Sequence, residues 1–219
     1  MKNLLYLFIT CLILSFITPS CSWFKHKEEK TADQLATEGM DYFKSKKFFK
    51  ALESFEKIRD WYPFSKFSIL AELKIADCHY EMKEYEEAAH AYEEFENLHP
   101  NNDAIPYVIY QRGHCYFINV DTIDRDQSAT QKAIEIFTQL INSYPSNEYA
   151  LKAKENIKDC RRILAGHEFY VGHFYYKSKH YKGALSRFKT VFENFPDIKD
   201  IHNKASEYIS LCEKKITEK

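Results

Sequence analysis

The chain has 219 residues and 45% hydrophobic content, enough to core one large domain or two small ones, while only five Gly and six Pro argue against a loop-rich all-β fold. Its 31 Lys and Arg nearly cancel its 32 Asp and Glu, so no global field draws it to nucleic acid or to an acidic substrate. Aromatic side chains are dense, with 16 Tyr and 17 Phe; most serve helix packing, and the excess is available for a binding surface.

Lys2 is followed by an uncharged run from Asn3 to Trp23 whose apolar part extends from Leu4 to Ile17. About 14 apolar residues fall short of a membrane span and suit the hydrophobic region of a signal peptide. The run ends at Thr18-Pro19-Ser20-Cys21, a small residue directly before Cys, which resembles the lipobox of bacterial lipoproteins. On that reading residues 1–20 are a signal peptide and Cys21 is the lipidated mature N-terminus. An ordinary secreted signal or an uncleaved anchor are the alternatives. Acyl chains contribute about 0.8 kcal/mol per buried methylene and hold durably once more than one is attached. Ser22 rather than Asp follows the Cys, which in such proteins does not mark inner-membrane retention. Residues 21–31 then read as the anchor and a polar tether.

From residue 32 onward the chain reads as successive helices: 32–46, 48–61, 66–82, 85–98, 104–118, 128–143, 147–164, 166–178, 181–195 and 199–217. Four times one pattern returns, Ala followed by an aromatic at four, an apolar residue at seven, a ring at eleven and Pro at twelve. The instances are Ala51-Phe55-Ile58-Tyr62-Pro63, Ala88-Tyr92-Phe95-His99-Pro100, Ala133-Phe137-Leu140-Tyr144-Pro145 and Ala184-Phe188-Val191-Phe195-Pro196. This spacing marks one face of a helix that the Pro ends, and a face that one helix cannot bury alone implies stacked neighbours. Gly39, Ala76, Gly113 and Gly172 precede the four Ala positions; a helical Gly costs about 1 kcal/mol against Ala, so close approach of a partner helix is the expected reason. Small residue, Tyr, Ala, Phe and Pro in that order is the tetratricopeptide pattern. The expected fold is all-α, a tetratricopeptide superhelix of about five helix pairs. Its Pro positions step unevenly, by 37, 45 and 51 residues. The last step leaves room for an extra helix near 147–164, and whether it opens the fourth pair or sits between pairs stays open.

No pattern of catalytic residues is present. The nine His form no His-Glu-x-x-His, and Cys78, Cys115, Cys160 and Cys212 lie far apart at apolar helix positions, without Cys-x-x-Cys. With no Gly-rich phosphate loop or Gly-x-Ser-x-Gly, the expectation is a non-enzyme with free buried thiols, no cofactor and no metal. Three segments stand outside the repeat: the aromatic turn Tyr62–Ser68, the run Ile105–Gly113 carrying Tyr107, Tyr110 and Arg112, and Asp124-Arg125-Asp126-Gln127-Ser128 at a helix start. Simple helix capping accounts for the last. The functional alternative is that these segments line a concave, peptide-accepting groove.

The lipobox, Tyr-Pro-Phe-x-x-Phe-Ser after the first pair, Asp-Arg-Asp-Gln at 124–127 and Leu-Ala-Gly-x-Glu-x-x-Val-Gly-x-Phe-Tyr at 164–175 together resemble the outer-membrane protein assembly lipoproteins, the BamD or ComL family, in its alphaproteobacterial form. The chain has Thr18 where the family prefers Leu, an unusual Pro19, and a segment before Asp124 that is shorter than in some relatives. The resemblance implies a non-catalytic scaffold of the β-barrel assembly machinery, held by lipid on the periplasmic face of the outer membrane. Its implied partners are the periplasmic domains of the barrel-forming subunit, other assembly lipoproteins and unfolded outer-membrane protein segments. Residues 32–145 would be the client-binding region, with Tyr62, Phe64, Tyr107 and Tyr110 taking an aromatic terminus and Arg112 its carboxylate. Residues 146–219 would dock the assembly partner, with Asp124, Arg125, Asp126, Arg161, Arg162 and Arg187 as contacts. The competing reading is another periplasmic tetratricopeptide adaptor lipoprotein for cell-envelope coordination.

Overall fold

The computed structural model describes residues 29–118 and 122–218; the expected signal peptide 1–20, Cys21 and most of the expected tether lie outside them. The described residues form nine helices and no strand: α1 Ala32–Lys44, α2 Phe48–Trp61, α3 Ser68–Glu81, α4 Tyr85–Leu98, α5 Ile105–Ile118, α6 Ser128–Ser143, α7 Glu148–Lys177, α8 Tyr181–Asn194 and α9 Lys199–Thr217. Each packs against the next in sequence, and α7 also touches α5 and α9. This is a tetratricopeptide superhelix, built as helix pairs α1–α2, α3–α4, α5–α6 and α7–α8 with α9 closing the stack.

The repeated pattern has a direct structural counterpart. Its Ala and aromatic positions, Ala51, Phe55, Ala88, Tyr92, Ala133, Phe137, Ala184 and Phe188, are all fully buried. The ring at position eleven is the C-cap each time: Tyr62, His99, Tyr144 and Phe195 share φ near −131°, −128°, −135° and −129°. Each cap N–H donates to the carbonyl of the position-seven residue, Ile58, Phe95, Leu140 or Val191. The following Pro excludes its predecessor from helical geometry, so the helix stops at one register in every unit. The early Gly is explained by contact. A Cβ at Gly39, Gly113 or Gly172 would lie 2.9, 2.7 or 2.9 Å from Cε1 of Phe55, Phe137 or Phe188. Gly113→Val is therefore expected to lower stability by about 1–3 kcal/mol through overpacking, read as a lower thermal midpoint. Gly183→Ala, whose Cβ would meet Tyr175 at an ordinary 3.5 Å, is expected to be neutral or stabilising.

The expected segments 147–164 and 166–178 are one 30-residue helix, α7, so the described chain makes four pairs and a closing helix where ten separate segments would have made five. The break expected near Ala165–Gly166 is absent because a single Gly weakens a helix without ending it, and no Pro lies between 145 and 196. The long helix does both jobs left open by the spacing. Its first half, through Ala150, Ala153 and Cys160, completes the core shared with α4, α5 and α6. Its second half carries Gly172 and opens the fourth pair around Phe188 and Val191. The four thiols are all buried, and burial pushes those of Cys78, Cys115 and Cys160 up to about 12, which holds them as unreactive thiols at neutral pH.

Candidate partner-docking site

The residues expected to form a peptide groove fall in three different places. Phe64 projects from the α2–α3 loop and is 100% exposed, while Tyr62 beside it packs on the N-terminal core. Tyr107 donates its hydroxyl to Asp77 Oδ1 at 2.8 Å and meets Tyr92 and Tyr149 edge-on. Tyr110 stacks on His114 and packs against Phe137 and Tyr149. Arg112, two residues further on and so on another face of α5, is buried and bonded to Glu93 Oε1 at 3.0 Å and Gln139 Oε1 at 3.1 Å, with Glu96 at 3.4 Å. Its guanidinium thus already has carboxylate partners within the fold. Sequence reasoning missed Asp77, a carboxylate only 4% exposed that accepts from both Tyr92 and Tyr107.

The residues expected to dock a partner converge far more closely. They gather where the segment before α6 lies against the middle of α7. Ile123 O accepts from His167 Nδ1 at 2.7 Å, and a Cβ at Gly166 would lie 3.1 Å from Ile123 Cγ2. The helical Gly is where α7 lets this loop approach. The loop is internally tied: Gln127 Nε2 donates to the carbonyls of Thr122 and Arg125 at 3.1 and 3.0 Å. Asp126 accepts from the N–H and hydroxyl of Ser128 at the start of α6, and the Thr122 hydroxyl donates to Asp124. These bonds hold both carboxyls below the usual range. The two motifs singled out in sequence, Asp-Arg-Asp-Gln and Leu-Ala-Gly-x-Glu, are therefore one structural unit. They share a cavity of about 500 Å³ lined by Asp124, Arg125, Asp126, His167, Glu168 and Phe195, among others.

Three arginines fasten this region to the last helices. Arg187 Nη1 on α8 reaches both oxygens of Glu168 at 3.0 and 2.9 Å. Arg161 donates from Nε to Asp197 at 2.9 Å, with a second bond from Nη2 to the same carboxylate, and Nη2 also reaches Asn194 O at 2.9 Å. Arg162 pairs with Asp200 at 2.9 Å. Such exposed pairs contribute little stability individually, about 0–1 kcal/mol, but forked arginine bonds fix geometry. Here they tie α8, the turn after it and the start of α9 to α7. The arginines hold Asp197 and Asp200 below the usual carboxylate range. A depressed folded-state pKa means the stabilisation is present above the unfolded value of about 4 and is lost as pH falls through the folded value. The stability gap between the wild-type chain and Asp197→Asn, measured by urea unfolding, is thus expected to close on acidification below about pH 4. Asp197 and Asp200 were not picked out in sequence and Glu168 only as a motif residue, because nothing local pairs them with arginines 19 to 38 residues away.

The family model described as YfiO, outer membrane lipoprotein, matches residues 28–217, essentially the whole helical stack and both motifs. The chain belongs to this family. It is 31% identical over 166 residues to the outer membrane protein assembly factor BamD of Caulobacter vibrioides, covering 76% of this chain and 54% of that protein. To the protein of the same name from Rickettsia prowazekii it is 31% identical over 186 residues, covering 84% and 74%. The chain thus spans about half of the first relative and three-quarters of the second. Among solved structures it is similar to the TPR2AB domain–pHSP90 complex of yeast Sti1, at 16% identity and a TM-score of 0.48 over 85% of this chain and 71% of that one. Family members are outer-membrane lipoproteins, so the protein is associated with the outer membrane.

Proposed function

We propose that this chain is a non-catalytic scaffold for assembling outer-membrane proteins, held by lipid at Cys21 and facing the periplasm. The observation that carries the reading is the family match across residues 28–217, with relatives in two organisms named as outer membrane protein assembly factors. A stack of helices whose repeated Ala and aromatic positions are spent on packing offers surfaces and turns for partners rather than reacting groups. No helix among the described residues is long and apolar enough to cross a membrane, which accords with attachment through an acyl anchor.

In this reading residues 146–219, together with the loop at 122–127, dock the periplasmic domains of the barrel-forming subunit, and residues 32–145 serve client segments. What supports the docking half is the junction at the middle of α7. There Asp124, Arg125 and Asp126 line a cavity with Glu168 and Asn194, which Arg187 and Arg161 in turn hold by hydrogen bonds. Charged groups in such fixed positions give register and specificity to an interface. Residues 21–219 are expected to co-elute with the periplasmic region of the barrel-forming subunit. No complex at micromolar concentration would defeat the proposal. Gly166→Ile, which would displace Ile123 and its loop, is expected to weaken the complex while leaving the helical content intact.

A further inference from the structure

One edge of the N-terminal half carries large apolar side chains that the fold leaves in the open. Trp61, the last residue of α2, is 55% exposed, and Phe64 at the tip of the following loop is 100% exposed. Ile69 and Leu70, in the first turn of α3, are 42% and 37% exposed, and Leu98, the last residue of α4, is 60% exposed. All five lie along one edge of the stack. α2 and α4 finish at this edge and α3 starts from it, each packed antiparallel to the next. Lys66 also belongs to the edge, its ammonium 5.0 Å from the centroid of the Phe67 ring.

The shape of the edge selects its occupant. A ring that projects fully from a turn forms no concave socket of its own, and its apolar surface suits insertion into an apolar medium better than reception of a peptide. Trp and Phe with a flanking Lys form the side-chain set that settles at the boundary of hydrocarbon and headgroups. The direction of the chain supplies the second argument. α1 runs antiparallel to α2, and Leu35 in its first turn shares a core cluster with Ile58, Tyr62 and Phe67 at the end of α2. The chain therefore enters the stack at Ala32 on the same edge that bears Trp61 and Phe64. Ten residues separate Cys21 from Ala32, a span of at most about 35 Å fully extended.

We propose that this edge, with Trp61 and Phe64 at its tip, beds into the surface of the membrane that holds the lipid anchor. The contact orients the helical stack as well as tethering it. The proposal rests on the lipoprotein reading of Cys21. It supplies the second, non-covalent signal that turns attachment by one point into a fixed pose.

The two tryptophans of the chain, Trp23 and Trp61, make the test direct. The full lipidated chain carrying Trp23→Phe has Trp61 as its only tryptophan and is reconstituted on phosphatidylethanolamine–phosphatidylglycerol vesicles, with flotation measured alongside. Trp61 emission is expected to shift to the blue and to be quenched roughly two-fold by lipids brominated along the acyl chain. Phe64→Asp in the same background is expected to abolish that quenching while flotation and far-ultraviolet circular dichroism are retained. If the protein floats but Trp61 stays as open to aqueous iodide as in solution, the inference fails and the lipoprotein reading stands. If Trp61 is shielded only when the barrel-forming subunit is added, the edge fits a protein socket and the membrane proposal is overturned. If the protein does not float, the anchor reading falls and the inference falls with it.

Discussion

Asp77→Ala is expected to destabilise the chain by about 3–5 kcal/mol, the range for removing one partner of a buried charged network. Oδ1 of Asp77 accepts from the Tyr92 hydroxyl on α4 at 2.7 Å and from the Tyr107 hydroxyl on α5 at 2.8 Å. Oδ2 takes Lys74 at 2.7 Å. Lys74 is 21% exposed and can turn to water, whereas Tyr92 is fully buried and Tyr107 largely so. Burial, and then the Asp77 charge, push both phenols well above their usual range, so neither hydroxyl can ionise in place of its bond. The Ala variant leaves two hydroxyls without an acceptor at the seam between the second and third helix pairs. Each unsatisfied group costs about 1–3 kcal/mol. Asp77→Asn is the informative companion. It keeps an oxygen at Oδ1 for both tyrosines and is expected to lose no more than about 1.5 kcal/mol. Urea unfolding midpoints of the two variants decide the matter. Equal losses would mean that charge, not the shared acceptor, holds the seam.

Arg187→Glu is expected to weaken the complex with the barrel-forming subunit by about ten-fold, equivalent to about 1.4 kcal/mol. Its guanidinium grips both oxygens of Glu168, whose side chain is only 20% exposed. The substitution sets two carboxylates against each other across α7 and α8, beside the loop bearing Asp124 and Asp126. On the proposed docking role Arg187 acts through its contact with Glu168, so the reversed pair, Glu168→Arg with Arg187→Glu, is expected to recover affinity to within about three-fold. If the reversed pair binds as poorly as the single variant, Arg187 instead touches the partner itself. Binding by calorimetry with circular dichroism on each variant separates the two outcomes.

Much of the fold was legible because its signals are local. Ala, aromatic, apolar, ring and Pro at fixed offsets specify a helix face and its stop, and the C-caps at Tyr62, His99, Tyr144 and Phe195 follow from the pre-Pro restriction alone. The helical glycines likewise announced close approach of the paired helix, and at Gly39, Gly113 and Gly172 the approaching group is a Phe ring. Legibility failed where the answer depends on residues far apart in the chain. The stretch around Ala165–Gly166 reads as a break, yet one Gly without a Pro does not end a helix, and only the packing shows that the two halves of α7 serve different cores. Arg112 reads as a free carboxylate clamp, yet Glu93, Glu96 and Gln139, brought in from α4 and α6, already surround it.

The sequence by itself determined the helices, their stops, the stacking they imply and, through its motifs, the family to which the chain belongs. Only the tertiary structure decided what the charged and aromatic residues do. Helix periodicity is written in neighbours three and four apart, whereas the partner of an arginine is fixed by which helices meet and at what angle. Arg161, Arg162 and Arg187 find Asp197, Asp200 and Glu168, and Asp77 finds two tyrosines on two other helices. Phe64 stands wholly exposed among the described residues. Those assignments depend on long-range packing, which no local spacing encodes.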